Sequence, residues 1–324
     1  HSDFGNNGAD DVKTFIARNS RLFFDVYLRS DNADLCQLGL MQMRPGTRTY
    51  QDRSLDCSRN FALQTPFTNM TYEADWTAGT VDRNGQTMGG TEITVIRAHQ
   101  GALYALAGYW RDAGIGNIVE GPMILRKAGT SEAWQADFVW PLARHVRVHA
   151  MESLGLNLEQ ADGRRSVVSI LALGVDDPEN LSLWLRNDRD GSYYQSIITP
   201  ATDSYVRSMA VFYDESSAQQ YVFVGSRYGK IFRGEPSLND RGQVVFQWTR
   251  EPIRDRSTPT ANRRIMAITR ADNALFATFG PEGDEPGGLY KRINGASAEW
   301  ELVSALPFAG DALPRPNPRG LTAF

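Results

Sequence analysis

A short sequence repeat constrains this chain more than any other feature. Four segments open with Arg and continue with apolar or small residues, at intervals of 60, 57 and 55 residues. These openings are Arg147-Val-His-Ala-Met, Arg207-Ser-Met-Ala-Val, Arg264-Ile-Met-Ala-Ile and Arg319-Gly-Leu-Thr-Ala. One further step towards the N-terminus reaches Glu92-Ile-Thr-Val-Ile, which has Glu in place of Arg. Self-similarity at a fixed period is typical of a repeat architecture.

Three more short runs follow each complete opening, which gives four predicted strands per repeat. The second run ends in Gly (Tyr221-Val-Phe-Val-Gly225), the third in a basic residue (Lys230-Ile-Phe-Arg233), and the fourth carries an aromatic residue (Phe246-Gln-Trp248). Runs rich in β-branched and aromatic residues, separated by Gly, Pro, Asn and Asp, are typical of strands. A four-strand repeat of about 55 residues predicts an all-β fold, a β-propeller of four-stranded blades. A β-sandwich or a β-solenoid is the alternative.

Ring closure decides the predicted number of blades. Residues 92–307 hold four complete repeats, and the fifth opening, at Arg319, stops after one strand. If the C-terminal strand, residues 319–324, pairs with N-terminal strands, five blades close the ring and its sheet edges are paired. Six blades are the alternative. We therefore predict one propeller domain over residues 21–324, preceded by a polar N-terminal arm over residues 1–20.

The charge distribution argues against one large class of partner. Acidic and basic residues are mixed along the whole chain, and the formal net charge is −4. Non-specific binding of nucleic acid needs a basic face, so we predict no nucleic-acid partner. The sequence has no run of 18 apolar residues, so we also predict no membrane span.

The two cysteines, Cys36 and Cys57, bear on the cellular compartment. They lie 21 residues apart and flank a polar stretch that a cross-link would hold together. We predict a disulfide between them, with two unlinked thiols as the alternative. Disulfides persist in oxidising compartments, and the chain begins at His1, as a processed form does. The prediction is a secreted, periplasmic or otherwise extracellular protein.

The repeated arginines predict a binding site. Inner strands line the centre of a propeller, so the residues that open them are expected to form a ring around its axis. Arg147, Arg207, Arg264 and Arg319 have that position in the alignment, and Glu92 completes the ring. Guanidinium groups bind carboxylate, sulfate and phosphate through paired hydrogen bonds. The ring is therefore predicted to bind an anion; the alternative is that each arginine ties one blade to the next.

Histidines distinguish one of the openings. His145 and His149 flank Arg147, and all three are expected on the same side of a strand. His149 replaces the apolar residue of other repeats, and histidine can act as a general base or a metal ligand. We predict His149, Tyr205 and Arg207 as catalytic residues for an enzyme reading of the chain, and His145 as a further ligand contact. The alternative is a core histidine that is hydrogen-bonded to a carbonyl group.

Metal and cofactor motifs are weak in this sequence. His99, His145 and His149 follow no known ligand spacing, so no metal site is predicted. Asp188-Arg-Asp190-Gly191 resembles part of a calcium loop but lacks the closing Glu. We interpret this segment as a hairpin turn and predict no cofactor, with a structural calcium ion as the alternative.

The blade pattern resembles that of sialidase-like β-propellers. Gly288-Leu-Tyr-Lys291 followed by Trp300 is similar to the end of such a blade, and Asn187-Asp-Arg-Asp-Gly-Ser-Tyr is a degenerate relative of the Asp-box. The resemblance covers residues 90–324 and implies the architecture. The complete Asp-box, Ser-x-Asp-x-Gly-x-Thr-Trp, and the Arg-Ile-Pro motif are both absent, so the resemblance implies no catalytic residue.

The predicted function is recognition of an anionic ligand. A secreted propeller would bind an acidic carbohydrate, or another small anion, at its Arg-lined central funnel. A polysaccharide lyase or glycoside hydrolase acting on acidic glycans is the first alternative, because a lyase needs a cation beside the uronate carboxylate and an acid–base pair. A scaffold for a protein partner is the second. The sequence alone does not distinguish an enzyme from a binding module.

Overall fold

The structure is a computed structural model, and it describes most of the chain between residues 75 and 305. The described residues are 11–18, 21–29, 35–43, 75–90, 92–108, 121–129, 131–141, 147–200, 205–254, 264–271, 273–280, 287–295 and 298–305. The chain divides into two compact units, one formed by residues 1–73 and 309–314 and the other by residues 74–308 and 315–324.

In the first unit, the described residues form one antiparallel sheet of three strands. They are β1 (Asp11–Arg18), β2 (Arg21–Arg29) and β3 (Leu35–Met43). Strand β1 lies within the segment predicted as an arm and pairs with β2. Cys36 lies in β3, opposite Leu28 of β2. Because Cys57 lies outside the described residues, the disulfide stays a prediction.

The second unit contains four antiparallel sheets of four strands, and each sheet corresponds to one sequence repeat. We call them blades 1 to 4. Blades 1 and 2 consist of β6 (Glu92–His99), β7 (Ala102–Gly108), β8 (Met123–Lys127), β9 (Gln135–Val139), β10 (Val148–Glu159), β11 (Arg165–Val175), β12 (Asn180–Arg186) and β13 (Tyr193–Pro200). Blades 3 and 4 consist of β14 (Val206–Asp214), β15 (Gln219–Ser226), β16 (Ile231–Leu238), β17 (Val244–Glu251), β18 (Ile265–Ala271), β19 (Ala274–Phe279), β20 (Gly288–Ile293) and β21 (Glu299–Ala305).

The predicted fold class, an all-β propeller of four-stranded blades, is confirmed. In every blade the strands pair in sequence order, and the first strands of consecutive blades lie beside one another, as inner strands do in a propeller. The described residues contain five sheets of three or more strands, four in the second unit and one in the first. The pairing of residues 319–324 that would close the ring lies outside the described residues.

Apolar side chains packed between neighbouring blades hold the second unit together. Successive residues of a strand point to opposite faces, so a middle blade can pack against a neighbour on each side. Val224 of blade 3 lies in one cluster with Leu183 of blade 2. Its chain neighbour Phe223 lies in the next cluster, with Trp300 of blade 4. Both faces of blade 3 are therefore buried.

A hairpin covers the remaining face of blade 1. Strands β4 (Thr80–Val81) and β5 (Thr87–Met88) form this hairpin, and Met88 packs with Met123 and Trp134 of blade 1. Asp82 fixes the turn, because its Oδ1 accepts hydrogen bonds from backbone N–H groups inside the hairpin. Its Oδ2 accepts a hydrogen bond of 3.2 Å from the N–H of Ala136 in β9. The hairpin and blade 1 are thus joined by apolar packing and by one carboxylate.

The glycine that ends the second run of the repeat has a packing role. A Cβ atom at Gly174 would collide with the backbone carbonyl of Val206 in the next inner strand, and a Cβ at Gly225 would collide with Ile265. Val206 and Ile265 have the same place in blades 3 and 4, so the contact recurs. Glycine is needed here because the neighbouring strand occupies the position of a side chain.

Each inner strand of blades 2, 3 and 4 contains a bulge near its start. The bulge follows the first paired residue, at equivalent places in the three blades. The bulged residues are His149, Arg207 and Met266. The inner-strand residue that follows each bulge pairs with a residue of the second strand. These second-strand residues are Gly174, Gly225 and Thr278. These pairings align the three blades independently of sequence similarity.

This register corrects one part of the sequence alignment. The residue just before the first paired residue of the inner strand is Arg147 in blade 2 and Arg264 in blade 4. In blade 3 the residue at this position is Tyr205. Arg207 lies two residues further along and is equivalent to His149. The prediction that Arg207 shares the strand-opening position is therefore wrong. A shift of two residues leaves every side chain on the same face of the sheet, so the apolar pattern did not reveal it.

A buried ion-pair network joins blades 3 and 4. The side chain of Arg292 in β20 is fully buried, with Nη1 2.7 Å from Oδ2 of Asp214 and Nε 2.9 Å from Oε2 of Glu251. Trp300 Nε1 donates a further hydrogen bond of 2.8 Å to Glu251. Burial alone would raise the pKa of Asp214, but hydrogen bonds from Ser216 and Arg292 hold that pKa below its usual value.

Arg186 makes a related contact between blades 1 and 2. Its Nε lies 2.9 Å from Oδ2 of Asp137 in blade 1, and its guanidinium lies 5.4 Å from the ring centre of Tyr104. Arg292 likewise lies 4.9 Å from the ring of Phe223. The basic residue of the third strand therefore has a structural role at two of the blade interfaces.

Replacing Arg292 with Met is expected to destabilise the fold by about 3–5 kcal/mol, because two buried carboxylates would lose their cation. Urea denaturation measures the loss. Arg254→Met is the matched control, since Arg254 is half exposed and binds two carboxylates at the surface of the same pair of blades. That loss is expected to stay below about 1 kcal/mol. Equal losses in the two variants would contradict the assigned role of Arg292.

Candidate functional site

The two ends of the blades differ in their connections. At one end the first and second strands of a blade are joined by tight turns, such as residues 100–101 and 215–218. The inner strands begin at the other end, which we call the opening end. In blade 3, residues 227–230 join the second and third strands at the opening end. Loops on a rigid scaffold commonly carry binding residues.

Charged and aromatic side chains meet at the opening end of blades 2 and 3. The imidazole of His149 stacks on the ring of Tyr205, with ring centres 3.4 Å apart and planes inclined by 6°. Nε2 of His149 lies 3.5 Å from Oδ2 of Asp176. With three nearby arginines these residues form what we call the opening cluster. Its members are Arg147, His149, Asp176, Tyr205, Arg207 and Arg227.

The strand starts determine how these residues meet. In blade 2 the N–H of Asp176 donates a hydrogen bond of 2.9 Å to the carbonyl oxygen of Arg147, and in blade 3 the N–H of Arg227 donates one of 3.0 Å to that of Tyr205. Asp176 and Arg227 are thus equivalent residues that extend the pairing of the first two strands. The adjoining bulge carries His149 in blade 2, and the packing of the blades brings its ring against Tyr205.

Two guanidinium groups lie close to the Tyr205 ring. The Cζ atoms of Arg207 and Arg227 are 5.9 Å and 5.6 Å from its centre. Nη1 of Arg207 also donates a hydrogen bond of 3.4 Å to the phenolic oxygen. Tyr205 itself is only 6% exposed, whereas Arg207 and Arg227 are partly exposed. The tyrosine is therefore a buried platform for arginines that reach the surface.

His149 is uncharged at neutral pH. Burial lowers the pKa of its imidazole to about 4, and the positive charges of Arg147 and Arg207 act in the same direction. Asp176 opposes the shift only partly, since 3.5 Å is the outer limit of a hydrogen bond. Among its described members, the cluster therefore has three guanidinium groups and one carboxylate.

The structure brings four of the predicted site residues together. They are Arg147, His149, Tyr205 and Arg207. Arg264 is exposed just before β18, and Glu92 is the first residue of β6. His145 and Arg319 lie outside the described residues. The catalytic and ligand-binding roles of all these residues stay predictions.

The sequence analysis missed Asp176 and Arg227. Asp176 lies two residues after Gly174, and Arg227 lies two residues after Gly225. An alignment anchored on those glycines, rather than on the repeated arginines, would have placed Asp176 and Arg227 beside the strand openings. The glycines are the better anchor because they mark a contact that geometry requires.

Metal ligands do not cluster in the described part of the chain. No group of three His, Cys, Asp or Glu residues there could hold a metal ion. Residues 187–192 join β12 to β13, as predicted for a hairpin turn. Within that turn Asp190 accepts hydrogen bonds from the N–H and the hydroxyl of Ser192. Its carboxylate therefore stabilises the turn.

Comparisons with known proteins give structural similarity alone. No family model and no curated protein matches the sequence. The structure is similar to a GH43 β-xylosidase/α-arabinofuranosidase from a compost microbial metagenome, solved with xylotriose (10% identity, 66% of this chain and 77% of that one, TM-score 0.35). It is also similar to the extracellular domain of a one-component system from B. thetaiotaomicron (11% identity, 94% of this chain and 36% of that one, TM-score 0.34). Both TM-scores are below 0.5, so neither protein informs the function of this chain.

Within the ranges that the structure describes, no helix has the length and apolar character needed to cross a bilayer.

Lowering the pH from 7 to 5 is expected to destabilise the protein by about 2 kcal/mol through His149. The folded-state pKa of about 4 is below the ordinary value of 6.5, so the unfolded chain takes up the proton first. The contribution of the neutral His149 to the free energy of unfolding is complete above pH 6.5 and is lost as the pH falls towards 4. Urea denaturation of the wild type and of His149→Gln at both pH values isolates this contribution. The same pH dependence in both proteins would contradict the assigned burial.

Proposed function

We propose that this chain binds an acidic carbohydrate at the opening cluster. The observation that carries the proposal is the charge of that cluster, in which three arginines approach a neutral histidine–tyrosine stack and one carboxylate. Guanidinium groups bind carboxylates and sulfates in a planar, paired geometry. An acidic sugar offers those groups, and its neutral hydroxyls can meet polar atoms around them.

The surroundings of Arg227 support a sugar more than a bare inorganic anion. Tyr228 follows Arg227 in the turn between β15 and β16, and the Arg227 guanidinium lies 5.2 Å from its ring centre. Both side chains are partly exposed. Ligand sites commonly combine an aromatic surface with a few well-placed polar groups. A sugar ring can pack on Tyr228 while its acidic group binds Arg227.

Binding is a better proposal than turnover for this cluster. A histidine with a pKa of about 4 is a weak base at neutral pH, and Tyr205 is too buried to reach a substrate freely. Of the predicted catalytic set, His149 and Arg207 both contact Tyr205, an arrangement that suits a rigid binding platform. An extracellular location, which the cysteine pair predicts, would give the protein access to acidic glycans.

Replacing Arg227 or Arg207 with Ala is expected to weaken binding of acidic oligosaccharides by about tenfold or more, because one charge-assisted hydrogen bond contributes about 1.5–3 kcal/mol. Titration calorimetry with uronate-containing and sialylated oligosaccharides measures the change, and affinity is expected to fall as salt is added. Arg164→Ala is the matched control, because Arg164 is 87% exposed and lies in the turn between β10 and β11, at the opposite end of the blades.

Three other outcomes would overturn this proposal. Absence of binding to every acidic oligosaccharide would favour the protein-interaction scaffold. Equal binding by the Arg207→Ala and Arg164→Ala variants would remove the opening cluster as the site. Release of unsaturated or reducing sugars, abolished by His149→Ala, would show an enzyme in place of a binding module.

A further inference from the structure

A histidine, a serine and an aspartate form a hydrogen-bonded chain between blades 1 and 2. Nδ1 of His99, the last residue of β6, lies 2.8 Å from Oγ of Ser153 in β10. Nε2 of the same ring lies 2.8 Å from Oδ2 of Asp188, in the turn between β12 and β13. The three residues come from separate elements at the tight-turn end, so the chain is distinct from the opening cluster.

The exposure of the three side chains differs in a way that suits an activated serine. The imidazole of His99 is fully buried, whereas Ser153 is exposed on the inner strand of blade 2. The His99 ring lies edge-on to Tyr104, with ring centres 5.9 Å apart. Water is therefore excluded from the imidazole, while the hydroxyl stays within reach of a substrate. A histidine that only joined two blades would not need an exposed hydroxyl as its partner.

The carboxylate of Asp188 is held in place from its other side. Nη1 of Arg186 lies 2.6 Å from Oδ1 of Asp188, while Oδ2 faces the imidazole. Arg186 is itself anchored by Asp137 of blade 1 at 2.9 Å. A carboxylate only accepts hydrogen bonds, so Nε2 of His99 carries the proton. In the neutral imidazole with that tautomer, Nδ1 accepts the hydrogen bond from the Ser153 hydroxyl.

Ser153 is not a residue of the repeat. It lies three residues after Ala150, which pairs with the close-approach glycine Gly174. The corresponding residues are Val211 in blade 3 and Arg270 in blade 4. A contact required by the packing of every blade would recur, as the close-approach glycine does. The serine–histidine–aspartate chain is specific to one blade interface.

We propose that Ser153 is a nucleophile for acyl transfer, with His99 as its general base and Asp188 as the group that orients the base. Such a triad is recognised by the geometry and roles of its members, and not by their order in the chain. Here Nδ1 of the histidine faces the serine and Nε2 faces the acid. The proposal is independent of sugar binding at the opening cluster.

The proposed reaction is ester hydrolysis in two steps. The Ser153 oxygen forms a bond to the ester carbonyl carbon while its proton moves to Nδ1 of His99. The tetrahedral intermediate then expels the alcohol oxygen, which takes the proton from His99 as the ester C–O bond breaks. A water molecule attacks the resulting acyl-serine, giving its proton to Nδ1. Breakdown of that intermediate releases the carboxylic acid and returns the proton to Ser153.

The position of the hydroxyl indicates the class of substrate. Ser153 is exposed on the strand itself, and an exposed strand can be approached by an acyl group that projects from a larger molecule. The substrate class is therefore an ester substituent of a large molecule, such as a short acyl group on a polymer. A small activated ester can report the reactivity of the serine without that larger part.

A fluorophosphonate probe tests the nucleophile directly, with mass spectrometry to locate the label. The wild type is expected to be labelled at Ser153 and to hydrolyse p-nitrophenyl acetate. Ser153→Ala is expected to abolish both. Because the buried Nδ1 of His99 would lose its hydrogen-bond partner, circular dichroism is used to verify that the variant is folded. Asp188→Asn is expected to slow labelling by about 100-fold, since general-base assistance contributes at least that factor.

Ser166→Ala is the matched control. Ser166 is an exposed serine of β11, and no described histidine is recorded within hydrogen-bond distance of its hydroxyl. Its loss is expected to leave labelling unchanged. Absence of labelling in the wild type, labelling that survives in Ser153→Ala, or an unchanged labelling rate in a folded Asp188→Asn variant would each overturn the proposal. Arg207→Ala should not affect labelling, which separates this proposal from the sugar-binding one.

Discussion

The close approach of neighbouring inner strands is the contact on which the second unit depends. At Gly174 and Gly225 the backbone or side chain of the next blade occupies the place of a Cβ atom. This contact lets apolar faces of consecutive blades meet without a gap, and it sets the inner strands side by side. Because the strands begin at the same end, their first residues are brought into one region. The opening cluster is a consequence of that geometry.

Four of the described arginines lie in two kinds of environment. Arg292, and to a lesser degree Arg186, are enclosed between blades and paired with carboxylates of the preceding blade. These two arginines specify how neighbouring blades pack. Arg207 and Arg227 are partly exposed and lie beside the ring of Tyr205, which is buried. The second pair is therefore placed where a ligand can reach it.

The two ends of the blades carry different chemistry. At the opening end the guanidinium groups of Arg147, Arg207 and Arg227 lie near the stacked rings of His149 and Tyr205. The tight-turn end carries the Ser153–His99–Asp188 chain, in which a buried base meets an exposed hydroxyl. The propeller architecture allows this separation because loops at opposite ends of a blade vary independently. Fold and function are therefore separate questions for this protein.

The sequence by itself determined the four strands of each repeat and the propeller class, because runs of β-branched and aromatic residues, the turn residues between them and the repeat period are local signals. It could not locate the inner-strand bulge, so Arg207 was assigned two residues away from its structural place. It also gave no sign that His99 meets Ser153 and Asp188, which lie 54 and 89 residues away along the chain. Contacts between blades depend on how whole sheets pack, and no local sequence pattern indicates which residues so far apart in the chain will meet. The sequence had named Arg147, His149, Tyr205 and Arg207 as site residues. Tertiary structure alone decided that Asp176 and Arg227 join them, and that Ser153, His99 and Asp188 meet.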